Sequence, residues 1–153
     1  MPDETAHEAF ELPLAITAED IDVLDHVNNV VYLRWVQDAA VAHWRHAATA
    51  EEQRRIVWVV ARHEIDYRRP ARLGDAIVAR TWVGTASRSG FDRHTEILRA
   101  GDRALLARAR TVWVPIDPST GRPTGVEDEV RRRFSVPDEG SAGRHRTEND
   151  GPR

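Results

Sequence analysis

The sequence predicts an α+β fold in which one long helix is wrapped by a curled antiparallel sheet. Two observations carry that prediction. From Asn29 to about Ala47, apolar residues recur at three- and four-residue steps: Leu33, Val36, Ala40, Trp44 and Ala47, widened by Tyr32, Trp35 and Ala39. After residue 55 the periodicity changes to two. Segments rich in β-branched and aromatic residues then alternate with Gly-, Pro- and Asp-containing turns. A helix apolar over so much of its girth needs cover on several sides, and a run of consecutive antiparallel strands can curl to supply it.

Glu11 to Ile16 reads as a short first strand, and Thr17 to Val27 as a polar loop. The long helix follows, with Asn29 at its start as the expected N-cap, and the charged Ala50 to Arg55 segment closes this unit. Strands are expected at Ile56 to Arg68, Asp75 to Thr85, Phe91 to Arg99 and Arg103 to Val114. Pro70 and Gly74 punctuate the first interval, because proline lacks a donor and glycine tolerates unusual dihedrals. Ala100-Gly101-Asp102 reads as a hairpin turn, Asp117 to Gly121 as another, and Val126 to Phe134 as a short helix. Residues 1–9 are expected to be flexible, residues 10–136 to form the domain, and residues 137–153, with almost nothing apolar, to be disordered.

The length of 153 residues fits one domain. A net charge of −3 gives no electrostatic case for nucleic-acid binding. No run is long enough to span a bilayer, and the acidic, polar start is unlike a signal peptide. The absence of Cys excludes disulfides, thiol nucleophiles and Cys-ligated metals, and suits the cytoplasm. All 22 basic residues are Arg, the side chain whose planar fork suits phosphate.

Chemistry is concentrated in Asp22-Val-Leu-Asp25-His26-Val-Asn28-Asn29-Val-Val-Tyr32-Leu-Arg-Trp35. Two carboxylates, an imidazole and two amides fall immediately before the apolar helix. A helix N-terminus offers free N–H donors and partial positive charge. Groups able to move a proton therefore stand beside groups able to polarise a carbonyl.

This segment resembles the signature of hotdog-fold acyl thioesterases. The likeness is to the branch holding 4-hydroxybenzoyl-CoA thioesterase, the bacterial long-chain acyl-CoA thioesterases and the plant acyl-carrier-protein thioesterases. Two further blocks are similar: Asp66-Tyr67-Arg68-Arg69-Pro70 through Leu73-Gly74-Asp75, and Thr111-Val-Trp113-Val-Pro-Ile-Asp117 with Gly121-Arg122-Pro123. The resemblance covers roughly residues 10 to 136 and implies a hotdog domain that hydrolyses an acyl-CoA, with an acyl-carrier-protein thioester as a possible substrate. It implies Asp22 as general base or nucleophile, with His26, Asn28 and Asn29 in the catalytic loop. The acyl chain is expected near Tyr32 and Trp35, with Tyr67 packing nearby. Arg68, Arg69 and Arg88 are candidates for the CoA phosphates. No metal and no cofactor is implied, and a homodimer or homotetramer is expected.

Two departures from the pattern matter. The plant enzymes carry Asn two residues after the catalytic Asp, where this chain has Leu24; many relatives carry Gly or Gln before the His, where it has Asp25. A second carboxylate could raise the proton affinity of Asp22 by like-charge repulsion, or face solvent and do nothing. His43-Trp-Arg-His46 lacks an acidic partner at metal-binding spacing and reads as a solvated helix end. Two alternatives stay open. One is a hotdog acyl-thioester dehydratase or hydratase, for which His26 with Asp38 is the nearest pair. The other is a non-catalytic acyl-CoA-binding protein.

Overall fold

In a computed structural model, residues 9–135 are described. The expectations for the tail and, Ala9 apart, for the N-terminus fall outside that range. The order is β1 (Phe10–Leu14), a 3-10 turn (Ala18–Asp20), α1 (Asn29–Ala47), α2 (Ala50–Arg55), β2 (Val57–Tyr67), β3 (Ile77–Ser87), β4 (Gly90–Arg99), β5 (Leu105–Asp117), β6 (Arg122–Pro123) and α3 (Asp128–Phe134). The strands form one antiparallel sheet in the order β1-β3-β4-β5-β2, with β6 paired to the end of β5. The sheet curls around α1, which is the hotdog arrangement.

Alternation decides which side of the sheet meets the helix. Ile77, Ala79, Thr81 and Val83 of β3 are buried, as are Phe91, Arg93, Thr95 and Ile97 of β4. Their neighbours in register on β5, Ala107, Ala109, Thr111 and Trp113, complete the concave face. The helix answers with Val31, Tyr32, Trp35, Val36, Ala39 and Ala40. The deepest residues of α1 are Tyr32, Trp35, Val36 and Ala39, whereas Leu33, Trp44 and Ala47 are half-buried. Tyr32 and Trp35 meet edge to face at 5.1 Å. Emptying the Trp35 site by substitution to Ala is worth about 3–5 kcal/mol.

Two local features go beyond the sequence reading. Ala50 to Arg55 is a separate helix, started by a capping box in which Thr49 and Glu52 exchange side chain-to-backbone bonds. Glu52 is buried and receives Arg133 at 2.6 Å, which ties α2 to α3. In the β4–β5 turn the left-handed residue is Arg103 (φ 60°), not Gly101, and Arg99 reaches Asp102 at 2.9 Å across it. Gly74 does take the left-handed conformation (φ 97°) that favours glycine. Among the described residues, no helix is long and apolar enough to cross a membrane.

Candidate active site

The 21–27 segment is a tight turn fixed by its own carboxylates. Ile21 bridges Val27, and Asp22 N–H donates to the His26 carbonyl (2.8 Å). Asp22 Oδ1 accepts from the Leu24 N–H (2.9 Å) and the His26 N–H (3.3 Å), the side chain-to-backbone bonding that short carboxylates favour in turns. Its Oδ2 accepts no hydrogen bond among the described residues. Asp25 occupies the left-handed region (φ 61°) at the tip and is exposed.

Below the turn, Asp20 is buried and braces the loop. Its Oδ2 accepts from the Thr17 N–H (2.9 Å), its Oδ1 from Arg34 (3.0 Å), and its carbonyl from the Asn28 N–H (2.8 Å). Burial pushes the Asp20 carboxyl up, but the Thr17 N–H and the Arg34 guanidinium outweigh it and hold the group below the usual carboxylate range. Asp20 carried no motif in the sequence; the only signal was a Thr three residues before it, the spacing of a capping box.

The N-cap of α1 is Asn28, not Asn29. Asn28 Oδ1 accepts from the Val30 N–H (3.1 Å), and its carbonyl accepts from the Val31 N–H (2.9 Å). Asn29 is the first helical residue. Its own N–H has no acceptor among the described residues, whereas the N–H groups of His26, Val27, Asn28, Val30 and Val31 are all engaged. One free donor therefore stands at the positive end of α1.

The other wall comes from the end of β2 and the loop after it. Tyr67 donates its hydroxyl hydrogen to the Asn29 carbonyl (3.1 Å) and meets Tyr32 edge to face at 5.4 Å. Tyr32 OH accepts from the Ala71 N–H (3.0 Å), and the Ala71 carbonyl accepts from the Val27 N–H (2.8 Å). The 68–71 loop is thereby clamped to the helix start. Arg68 and Arg69 both donate their backbone N–H to the Leu106 carbonyl. Their guanidinium groups form no ion pair among the described residues, and both are exposed.

These walls enclose a cavity of about 400 Å³ lined by Asp22, His26, Asn28, Asn29, Tyr32, Tyr67, Arg68 and Arg69, with Leu24, Val27 and Pro70. Eight of the ten expected site residues meet there. Trp35 stands behind Tyr32 and is 1% exposed. Arg88 lies in the β3–β4 turn, where its carbonyl accepts from the Val126 N–H and its guanidinium lies against Gly125. Asp25 borders a neighbouring cavity with Arg72 and Leu73, and His26 faces both. Asp38 is exposed on α1 and lines neither. The described residues contain no cluster of three side chains able to hold a metal.

The sequence profile of the thioesterase-like superfamily matches residues 16–134. This chain belongs to that superfamily. It is similar to an acyl-carrier-protein hydrolase from Cuphea viscosissima, 29% identical over 127 residues, covering 82% of this chain and 31% of the relative. The chain thus spans about a third of the length of the plant relatives it matches. The acyl-CoA thioester hydrolase YbgC of Escherichia coli is 24% identical over 128 residues, covering 82% of this chain and 95% of that protein. A Thermus thermophilus thioesterase solved with coenzyme A and zinc superposes with a TM-score of 0.69 at 27% identity, covering 81% of this chain and 90% of that one. The superfamily match spans both walls of the cavity.

Proposed function

We propose that this protein hydrolyses the thioester bond of an acyl-CoA, releasing the free acid and CoA. The observation that carries the reading is the cavity that gathers a carboxylate with a helix N–H and two guanidinium groups that find no partner among the described residues. Water adds to the thioester carbonyl carbon while Asp22 Oδ2 takes its proton; collapse of the tetrahedral intermediate breaks the C–S bond and the thiolate leaves. In the alternative course Asp22 itself attacks the carbonyl carbon, the C–S bond breaks as the CoA thiolate leaves, and water hydrolyses the resulting mixed anhydride to free acid and the Asp22 carboxylate. The Asn29 N–H is the donor for the developing oxyanion, where one such bond is typically worth roughly 3 kcal/mol. Asn28 aims that donor by capping the helix. His26 holds the turn through its backbone and is among the residues that line the cavity. Arg68 and Arg69 at the mouth bind the nucleotide phosphates, and Tyr32 and Tyr67 line the path of the acyl group. Arg88 lines no part of this cavity, and the geometry gives no support to a phosphate role for it.

The hydratase alternative has less support, because His26 and Asp38 do not face a common cavity. The protein is proposed to act in the cytoplasm as a homo-oligomer. A thiol-release assay over acyl-CoAs from acetyl to palmitoyl, with benzoyl and phenylacetyl thioesters and acyl-carrier-protein thioesters, tests the reading. At least one thioester is expected to be cleaved without added metal. A fully inert panel overturns the enzyme reading, and acyl-CoA binding without turnover would make the protein a sensor.

A further inference from the structure

The far end of α1 holds a charge with no counter-charge. Arg93, on the concave face of β4, is 3% exposed. Its Nη1 donates to His43 Nδ1 (2.9 Å) on α1 and to Thr81 Oγ1 (3.2 Å) on β3. No carboxylate pairs with it among the described residues, where ten other arginines do find one. His43 gives no negative charge either. Burial and the adjacent guanidinium push its pKa down to about 3, so at neutral pH it accepts as the neutral ring. Burial also lowers the pKa of Arg93, to about 9, which leaves the guanidinium charged at neutral pH.

Packing alone gives no reason for an arginine here. Its neighbours carry no negative charge: Phe91, Val83 and Trp113 belong to the apolar cluster at this end of the core, and Thr81, Thr111 and His43 are neutral. An apolar side chain of similar volume would fill the position without desolvating a charge. Arg93 instead lines an aromatic cavity of about 340 Å³ whose walls include Trp44, Trp58, Phe91 and Trp113. Donors exceed acceptors throughout this end of the core. The indole N–H groups of Trp58 and Trp113 are buried and lack acceptors among the described residues.

The cavity's position also matters. Tyr67 touches Asn29 at one end of α1, and Trp44 meets Trp58 edge to face (5.4 Å) near the other, so β2 runs antiparallel beside the helix. Both cavities lie on that seam. The carboxylate cavity is at its start and the Arg93 cavity is at its far end, about 22 Å away along the helix axis from Asn29 to Trp44.

We propose that the Arg93 cavity is a receptor for a carboxylate carried on an apolar body, with the guanidinium as its anchor and the tryptophans as its walls. Two sources share that chemistry: the ω-carboxylate of a long acyl thioester whose other end is cleaved beside Asp22, and a free fatty acid. The first source rests on the thioesterase reading; the receptor itself does not.

Tryptophan fluorescence and calorimetry with octanoate and octan-1-ol test the receptor without any turnover. Wild-type protein is expected to prefer octanoate over the alcohol by roughly 10- to 100-fold, the range for a hydrogen bond to a charged group. In Arg93→Met, which keeps the apolar volume, that preference should vanish while octan-1-ol binding persists. Equal affinities in wild type overturn the proposal, whatever the fate of the variant. A carboxylate preference that survives in folded Arg93→Met overturns it as well. The second arm compares ω-carboxyacyl-CoAs from adipoyl to dodecanedioyl with unsubstituted acyl-CoAs of equal length. A lower KM for the ω-carboxyacyl series, lost in Arg93→Met, assigns the site to the substrate. Octanoate preference without that discrimination assigns it to a free acid. Octanoate preference in a protein that cleaves no thioester sinks the thioesterase reading and leaves the receptor standing.

Discussion

Asp22 and Asp25 are three residues apart and differ in almost every physical respect. Asp22 is half-buried, its Oδ1 holds two backbone N–H groups, its Oδ2 accepts no hydrogen bond among the described residues, and it lines a cavity that Asn28 and Asn29 also line. Asp25 is exposed at a turn tip and borders a different cavity. Asp22→Asn is therefore expected to fold, because an amide oxygen can accept the same two N–H bonds, and to lose the base or nucleophile. The expected cost in kcat/KM is on the order of 100- to 10,000-fold. Asp25→Asn should stay within a few-fold of wild type. The reverse order of effects would mean that the site must be rebuilt around Asp25. These roles were legible in the sequence only as a set of residue types before a helix. Nothing in the residue order distinguished the carboxylate that turns inward from the one that takes a positive φ. Arg93 and His43 were not legible at all, because their pairing spans 50 residues and is created by the curl of the sheet.

At the scale of elements, the long helix and the principal strands were readable because their periodicity differs so sharply. The start of α1 was readable only to within a residue. Asn28 and Asn29 have the same chemistry, and the register of the cap is decided by the Asn28 N–H bond to Asp20, a contact from the preceding loop. Asn28→Ala should lower stability by about 1 kcal/mol, through loss of the bond to the Val30 N–H. Asn29→Ala should cost little stability, because its side chain makes no hydrogen bond among the described residues and alanine suits a helix. Denaturant unfolding of the two variants separates them. A larger loss from Asn29→Ala would move the cap back to Asn29. Both variants should still be assayed, since a frayed first turn misdirects the Asn29 N–H even where the fold persists.

The whole molecule carries two marks of its assembly and its pH range. Val57 and Val59 on the edge strand β2 are 47% and 46% exposed, and Val23, Leu24, Val30 and Leu73 are exposed around the candidate active site. An open sheet edge with apolar side chains is a surface that native proteins normally cover. The protein is therefore expected to be at least dimeric; light scattering that returns 17.3 kDa at micromolar concentration would contradict this. The pH range follows from His43, which stacks on Phe10 at 5.1 Å and meets Phe134 at 5.0 Å; it is half-buried between those rings rather than solvated as its sequence suggests, while His46 is exposed. Burial first, then Arg93 and His46, hold its folded pKa at about 3, against about 6.5 in the unfolded chain. Between those values the unfolded state binds the extra proton. Stability must therefore fall as pH drops from about 6.5 toward 3, by as much as a few kcal/mol. The Asp20 and Glu52 carboxyls, both held below their usual range, act in the same direction at the acid end: their stabilisation is complete above the ordinary carboxylate pKa and is lost as pH falls through the lowered one. Melting temperatures between pH 7 and pH 4 measure the sum, and His43→Leu isolates the imidazole. In that variant Arg93 loses its acceptor, so stability at pH 7 should drop, while the slope between pH 6.5 and pH 5, where the carboxylates have yet to titrate, should flatten. An unchanged slope would show that His43 takes up its proton in the folded protein as readily as in the unfolded chain.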